Sequence, residues 1–308
     1  MELPNQHPLK RREGDAIHIG GDYQARALKS DHAAQRFWHE AKFRLIKRVA
    51  IPSKHERVLD AGCGSGTISK FLSLHAGDVV GVDSNPSAIS YAASTYNVPN
   101  LQFRLGQFQD LMAEKPFDRI YCIEVIEHLY EHQAAEVLSL FHKLTAPGGQ
   151  LFLTTPNYRS AWPLIEWLLD KLALVATLDE AQHVTHFTKP KLRALLSLAG
   201  WRERRIGTFN GVAPFLAPIS HRLALGLENF EFLCNRLLPE NLLFCVCTKE
   251  LCSFPGLLPI YRGYPVAGHI QDIEFAIDQS DPRWSVKLVR KLRSDTAEPL
   301  TAQIKHEN

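Results

Sequence analysis

The run Val58-Leu59-Asp60-Ala61-Gly62-Cys63-Gly64-Ser65-Gly66 restricts the fold of this chain more than any other segment. Three glycines fall where a short apolar strand turns sharply into a helix. Glycine accepts positive φ and lets backbone approach a ligand closely, so the helix start can present free N–H groups. Two carboxylates flank the turn. Asp60 precedes it, where it can attract a cationic group, and Asp83 ends the next strand, where it can accept from both hydroxyls of a ribose. A dinucleotide fingerprint has its third glycine three residues after the second, but that position is Thr67 and the glycine comes early, at Gly66. The turn therefore fits a mononucleoside better than a pyrophosphate.

From Arg57 to Gly149 short apolar strands alternate with helical segments, the pattern of βαβ units and a parallel sheet. Strands are expected at Val58-Leu59, Asp78 to Val82, Leu101 to Leu105, Arg119 to Ile123, which ends at Glu124, and Leu151 to Thr155. The turn Ala146-Pro147-Gly148-Gly149 stops the helix before the last of these. Beyond Pro156, helices are expected over Ala161 to Leu174 and Lys189 to Ala199, the second with Thr188 as N-cap, Pro190 just inside and Gly200 as stop. Arg204 to Thr208 and Leu242 to Thr248 form a final pair of strands around a largely helical insertion. The tail from Leu251 to Asn308 shows no sustained periodicity and is taken as an appendage.

With 35 Lys+Arg against 33 Asp+Glu, the formal net charge of +2 gives no support to a nucleic-acid partner. Cys63, Cys122, Cys234, Cys245, Cys247 and Cys252 contain no CxxC pair, so reduced thiols are expected. The polar start, Met1 to Asp15, is not a secretory signal, and a cytoplasmic protein is expected. Apolar stretches near Trp162 to Leu178 and Val212 to Leu225 are broken by charges and fall short of a membrane span, though they can lie on a membrane surface.

The glycine run, followed by Gly81-Val82-Asp83-Ser84-Asn85, resembles the first two motifs of class I S-adenosylmethionine-dependent methyltransferases. That resemblance implies a doubly wound α/β fold: a seven-stranded, mostly parallel, Rossmann-like sheet with an N-terminal helical cap and a C-terminal helical lid. The implied organisation is a cap over 1–50, a methyltransferase domain over 51–250 with lid insertions at about 160–182 and 212–240, and an appendage over 251–308. It implies S-adenosylmethionine as cofactor and S-adenosylhomocysteine as product, held by Asp60, Ala61, Gly62, Cys63, Gly64, Gly66, Asp83 and Ser84. Leu105-Gly106-Gln107-Phe108 resembles the adenine-contacting segment. Many relatives carry an acid where this chain has Gln107, whose amide carbonyl can accept the same bond.

Phe117 to Leu129 resembles the fourth-strand segment of the subgroup that includes ubiquinone-biosynthesis O-methyltransferases, and Gln182 to Pro190 resembles its substrate segment. Glu124 is thereby implied on the cofactor wall. In that subgroup Glu-x-x-Glu-His can be associated with a divalent metal, here Glu124, Glu127 and His128. Acids at a helix start also complement the macrodipole, and no metal is expected.

The implied reaction is methyl transfer to an oxygen of a small or lipid-linked acceptor. An oxygen acceptor must lose its proton, and His128, His183 and His186 are the candidate bases. N- or C-methylation fits the core motifs equally well, and a cofactor-binding scaffold without catalysis is the alternative of a different class. Tyr23 to Val49, which mixes Lys42 and six other Lys or Arg residues with Phe37, Trp38 and Phe43, is either a solvated helix with its aromatic face on the core, or a cap over the cofactor or a basic contact for an anionic group on substrate or membrane. The apolar insertions are expected to roof the substrate pocket and to make peripheral membrane contact. No oligomeric state follows from the sequence.

Overall fold

The computed structural model describes residues 20–161, 183–234 and 239–250, together with 272–278 and 285–291. The chain divides into two compact units, Met1–Leu251 and Cys252–Asn308. In the first, helices α1 (Tyr23–Leu28) and α2 (Ala33–Val49) precede an alternating series: β1 (Arg57–Ala61), α3 (Thr67–Ser73), β2 (Asp78–Asp83), α4 (Pro86–Thr95), β3 (Leu101–Leu105), β4 (Phe117–Ile123), α5 (Glu131–Leu144) and β5 (Thr145–Pro156). Then come α6 (Lys189–Leu198), β6 (Arg202–Phe209), α7 (Ala213–Leu216), α8 (His221–Cys234) and β7 (Leu242–Thr248).

The seven strands form one sheet in the order β3-β2-β1-β4-β5-β7-β6. Pairs from β3 through β5 are parallel, and β7 runs antiparallel to both β5 and β6. The central strands are buried along most of their length, which explains their apolar content; β1 and β4 still carry Asp60, Asp118 and Arg119. One core cluster joins α5 and α6 to the sheet, including Phe141, Leu138, Leu192 and Trp201, and another joins α2 and α3, including Leu45, Ile46 and Leu72. The chain order reverses between β1 and β4, so a crevice opens outside their carboxyl ends, where ligands bind in sheets of this kind.

Local chemistry accounts for several element starts. The Asn85 side chain accepts from the Ser87 and Ala88 N–H groups and, with Pro86 at the first position, opens α4. Thr188 caps α6 through its hydroxyl oxygen, which accepts from the Lys191 N–H at 3.4 Å, as its sequence position predicts.

Two expectations need correction. Residues 146–149 do not form a free turn before β5. The Gly148 N–H donates to the Lys249 carbonyl at 3.0 Å and the Lys249 N–H to the Gly149 carbonyl at 2.9 Å, so the segment is bound in as an irregular start of the strand. The tail is not devoid of regular structure: β8 (Asp272–Asp278) and β9 (Ser285–Lys291) pair antiparallel, with Phe275 opposite Leu288 and Ile277 opposite Val286. The expected helix Ala161 to Leu174 and most of the lid at 160–182 lie outside the described residues, as do Met1 to Asp15 and Cys252. No helix among the described residues is long and apolar enough to cross a membrane.

Candidate functional site

The glycine turn is built by hydrogen bonds that only this backbone path permits. The Gly62 and Cys63 N–H groups both donate to the Val82 carbonyl, at 2.8 and 3.0 Å, tying the turn to the end of β2. Gly62 sits at φ 75°, and a Cβ there would run into the Val125 side chain. Gly66 sits at φ 76°, where a Cβ would lie 2.6 Å from Phe103 Cζ and 2.9 Å from Ala92 Cβ. Neither position tolerates another residue without rearrangement.

Asp83 is half-buried and braced. Its Oδ2 accepts from the Gly64 N–H and its Oδ1 from the Asn85 N–H, both at 2.8 Å. Each oxygen keeps a further lone pair, so the carboxylate is held facing outward and ready to accept two more donors. Ser84 beside it is exposed. Asp60 is 2% exposed and takes the Ser69 hydroxyl at 2.6 Å. Burial pushes its pKa up to about 7, with the Asp83 charge adding to the rise and the Ser69 bond opposing it. Ala61 and Cys63 are buried beneath the turn. Gln107 is exposed and its N–H donates to Asp110 Oδ2 at 2.8 Å, while Phe108 is half-buried against Phe141 with ring centroids 5.1 Å apart.

The cap helices close one side of this turn. A cleft lies between Gln24, His39 and Lys42 of α1–α2 and Asp60, Gly62 and Cys63 of the turn. Lys42 is its buried cation, with its Nζ 2.5 Å from Glu124 Oε2 and its side chain 7% exposed. Burial and the nearby Lys42 hold His39 well below its ordinary pKa, so it is neutral. Glu124 itself adopts φ 54°, unusual for a residue with a side chain, and its N–H donates to the Thr154 carbonyl at 3.1 Å. Its second oxygen, Oε1, is buried without a donor, as is Gln24 Oε1. Unsatisfied buried acceptors beside a buried ammonium are what a polar ligand entering the cleft would meet.

Beyond Glu124, ionisable groups from three segments converge. Glu127 is 1% exposed and takes the Thr155 hydroxyl at 3.0 Å. Burial pushes its pKa up to about 7, partly offset by His183. The His128 and His183 rings lie 5.0 Å apart, the Tyr158 hydroxyl is 3.1 Å from His183 Nδ1, and Tyr158 stacks on His186 at 3.9 Å. Glu127, His128 and His183 each offer a ligand atom within 4.8 Å of the others. The metal trio weighed from the sequence had Glu124 in place of His183, but Glu124 is engaged by Lys42.

A protein-family model described as "Methyltransferase domain" matches residues 31–204, more than half of the chain. The chain belongs to the methyltransferase domain family. It is similar to two curated proteins named ubiquinone biosynthesis O-methyltransferase. One, from Xylella fastidiosa strain 9a5c, is 35% identical over 111 residues, 35% of this chain and 44% of that protein. The other, from Pseudomonas syringae pv. tomato, is 28% identical over 151 residues, 44% of this chain and 63% of that protein. The chain thus spans about half the length of the curated relatives it matches. Among solved structures it resembles a SAM-dependent methyltransferase from Archaeoglobus fulgidus (TM-score 0.50, 20% identity, covering 69% of this chain and 94% of that one). It also resembles the complex of the Haloferax volcanii Trm112 activator and a putative methyltransferase (TM-score 0.52, 17% identity, covering 76% and 100%). These likenesses carry the fold, that of the class I S-adenosylmethionine-dependent methyltransferases.

In this methyltransferase the residues expected around the cofactor form two groups. Asp60, Gly62 and Cys63 line the cleft, with Gly64 and Asp83 linked directly behind it, whereas Gln107 and Phe108 sit past the end of β3. His128 and His183 come together, and His186 joins them through Tyr158. Sequence reasoning missed His39, Gln24 and Tyr158, and held Lys42 only as one of several cations of the cap segment. A signal for Lys42 was present: it lies on the buried stripe of α2 with Leu45 and Ile46, where a solvated lysine does not belong.

Proposed function

We propose that this methyltransferase binds S-adenosylmethionine in the cleft between the glycine turn and the cap, and transfers its methyl group to an oxygen of a small or lipid-linked acceptor. Bound there, the cofactor supplies an electrophilic methyl on a sulfonium. The chain's own residues fit it: Asp83 is braced to accept the ribose hydroxyls, Lys42 can neutralise the methionyl carboxylate, and Asp60 lies where a cationic amine is attracted. Gln107 and Phe108 are assigned to the adenine edge and face. Gly62, Gly64 and Gly66 allow the close approach, with Ala61, Cys63, Ser84 and Glu124 completing the wall.

The observation that carries oxygen methylation is the convergence of His128, His183, Tyr158 and Glu127 at the carboxyl ends of β4 and β5. A hydroxyl acceptor must lose its proton as it attacks, and a histidine held by a phenol can take that proton at neutral pH. Glu127, poised near neutrality by burial, can share it. The names of the curated relatives favour a ubiquinone-precursor-like phenol as acceptor. Incubation with methyl-labelled cofactor and a panel of catechols, amines and sugars, followed by bond analysis, should give an O-methyl phenol. Label found only on nitrogen or carbon would replace this reading with the corresponding transfer.

A second reading is favoured by one observation. The carboxylate and two imidazoles of Glu127, His128 and His183 suit a divalent transition metal, which would lower the pKa of a coordinated acceptor hydroxyl. Activity that survives exhaustive chelation supports the histidine base; activity lost to chelation and restored by metal supports this one. Peripheral membrane contact by α7 and α8, which expose Val212, Phe215, Ile219, Leu223, Phe230 and Leu233, belongs with a lipid-linked acceptor. Co-sedimentation with liposomes, lost on Phe230→Ser/Leu233→Ser, is the expected result. Protein wholly in the supernatant would overturn it.

A further inference from the structure

A second, small cavity lies against the Ala41–Leu45–Arg48 stripe of α2, separate from the cofactor cleft. Phe209 and Phe232 contribute apolar wall, and Asn210, Glu228, Glu231 and Glu240 contribute oxygen. Glu228 is accounted for, since Arg44 Nε donates to its Oε2 at 2.7 Å. The other three are not. Glu231 is 5% exposed; its Oε1 accepts from the Val212 and Ala213 N–H groups at 2.6 and 3.2 Å, but its Oε2 meets no donor. Glu240 is 5% exposed; the Thr208 hydroxyl lies beside its carboxylate, and neither oxygen has a partner at full hydrogen-bonding geometry. Asn210, which lines the cavity, is 3% exposed; its amide nitrogen donates to the Trp38 carbonyl at 3.1 Å, and its Oδ1 has no partner.

Four buried acceptor atoms from three segments therefore line one small space, and among the described residues only the Thr208 hydroxyl approaches any of them. The nearby guanidinium groups have other partners, and Lys189 acts on Glu240 without forming an ion pair with it. Arg44 holds Glu228 and Glu40, and Arg48 donates to Asn229 and lies 4.9 Å over the Phe232 ring, as Arg205 does at 4.7 Å. No cation among the described residues pairs with Glu231 or Glu240. Leaving such groups empty-handed in a protein interior costs far more than any packing gain around them.

The helix that carries two of these acids is oriented against its own amphipathicity. In α8, Glu228 and Glu231 are buried, whereas Leu223, Phe230 and Leu233 face outward at 64%, 59% and 82% exposure. Carboxylate and amide oxygens with no nitrogen or sulfur are the donor set of hard cations.

We propose that this cavity is a structural site for an oxygen-coordinated alkaline-earth cation, Ca²⁺ or Mg²⁺, bound by Glu231, Glu240 and Asn210. The cation ties α8 to the end of β6 and to the residue leading into β7, and so sets the position of the segment that roofs the sheet's carboxyl edge. Without it the acids hold protons instead: burial raises the pKa of Glu231 and pushes that of Glu240 up to about 7, where the Thr208 hydroxyl opposes the rise.

The test is thermal unfolding of the chelator-treated full chain, titrated with CaCl₂ and with MgCl₂, in the wild type, Glu240→Gln, Asn210→Ala and His183→Ala. The expected result is stabilisation of the wild type and of His183→Ala, absent in Glu240→Gln and requiring about tenfold more cation in Asn210→Ala. Cation-free Glu240→Gln should unfold no lower than the cation-free wild type, because it loses an uncompensated acid. If Glu240→Gln fails to fold, Asn210→Ala, which keeps both acids, decides. No response of the wild type to either cation assigns the cavity to water and overturns the proposal. So does a response that disappears in His183→Ala while persisting in Glu240→Gln, since the ion would then sit at the histidine cluster.

Discussion

Replacing Lys42 by Met tests whether the cap reads the cofactor or only packs on the sheet. The lysine side chain is 7% exposed and its ammonium lies 2.5 Å from Glu124, whose side chain is 25% exposed. A charge-assisted bond in that setting is worth about 1.5–3 kcal/mol, and the partial exposure of Glu124 argues for the lower half of that range. If the same ammonium faces the methionyl carboxylate, its loss should weaken S-adenosylhomocysteine by about tenfold to fortyfold. Calorimetry with two ligands separates this from general damage. 5′-Methylthioadenosine keeps the nucleoside but has no carboxylate, so its affinity should change less than about twofold. Lys42→Met also leaves Glu124 uncompensated beside an incoming anion; Lys42→Met/Glu124→Gln should therefore recover part of the lost affinity. Equal weakening of both ligands would refute the assignment, since it would mean that the cleft had collapsed; no weakening of either would show that Lys42 serves Glu124 alone.

Other outcomes follow from the same geometry. Gly66→Ala forces a Cβ to 2.6 Å from Phe103 at φ 76° and should cost about 1–3 kcal/mol in chemical unfolding. Glu127 is raised from 4.5 to about 7 in the folded state, so the folded protein holds a proton that the unfolded chain has released between those values. Its contribution, on the order of 3 kcal/mol, is full below pH 4.5 and lost as pH rises through 7; Glu127→Gln should flatten that part of the stability curve. Tyr158→Phe removes the hydroxyl at His183 Nδ1 and should lower kcat about tenfold with little change in KM, whereas His183→Ala should lower kcat by about a hundredfold or more.

The sequence made the sheet legible because its evidence is local. Val58-Leu59 before three glycines, Asp83 at a strand end and Thr188 before Lys189-Pro190 each announce an element through their own backbone chemistry. The start of β5 was not legible, since Gly148 and Gly149 are held in the sheet by Lys249, about a hundred residues away. Strand β8 alternates Ile273, Phe275 and Ile277 with Glu274, Ala276 and Asp278 over only seven residues, too short a run to give the tail a sustained periodicity. The site divides in the same way. The glycine turn and its two acids are contiguous motifs, whereas Lys42 meets Glu124, and His183 meets His128, only after the chain has folded. Apolar content in 212–240 predicted a roof but not which way α8 would turn, because burial of Glu228 and Glu231 depends on Arg44 and on the Val212 and Ala213 amides.

The most direct test of the central claim is isothermal titration of the wild type and Asp83→Ala with S-adenosylmethionine. The wild type should bind at micromolar concentration, and the variant, with its fold verified by thermal unfolding, should lose about a hundredfold or more because the ribose acceptor is gone. Absence of binding by the wild type, or undiminished binding by the variant, would contradict the account.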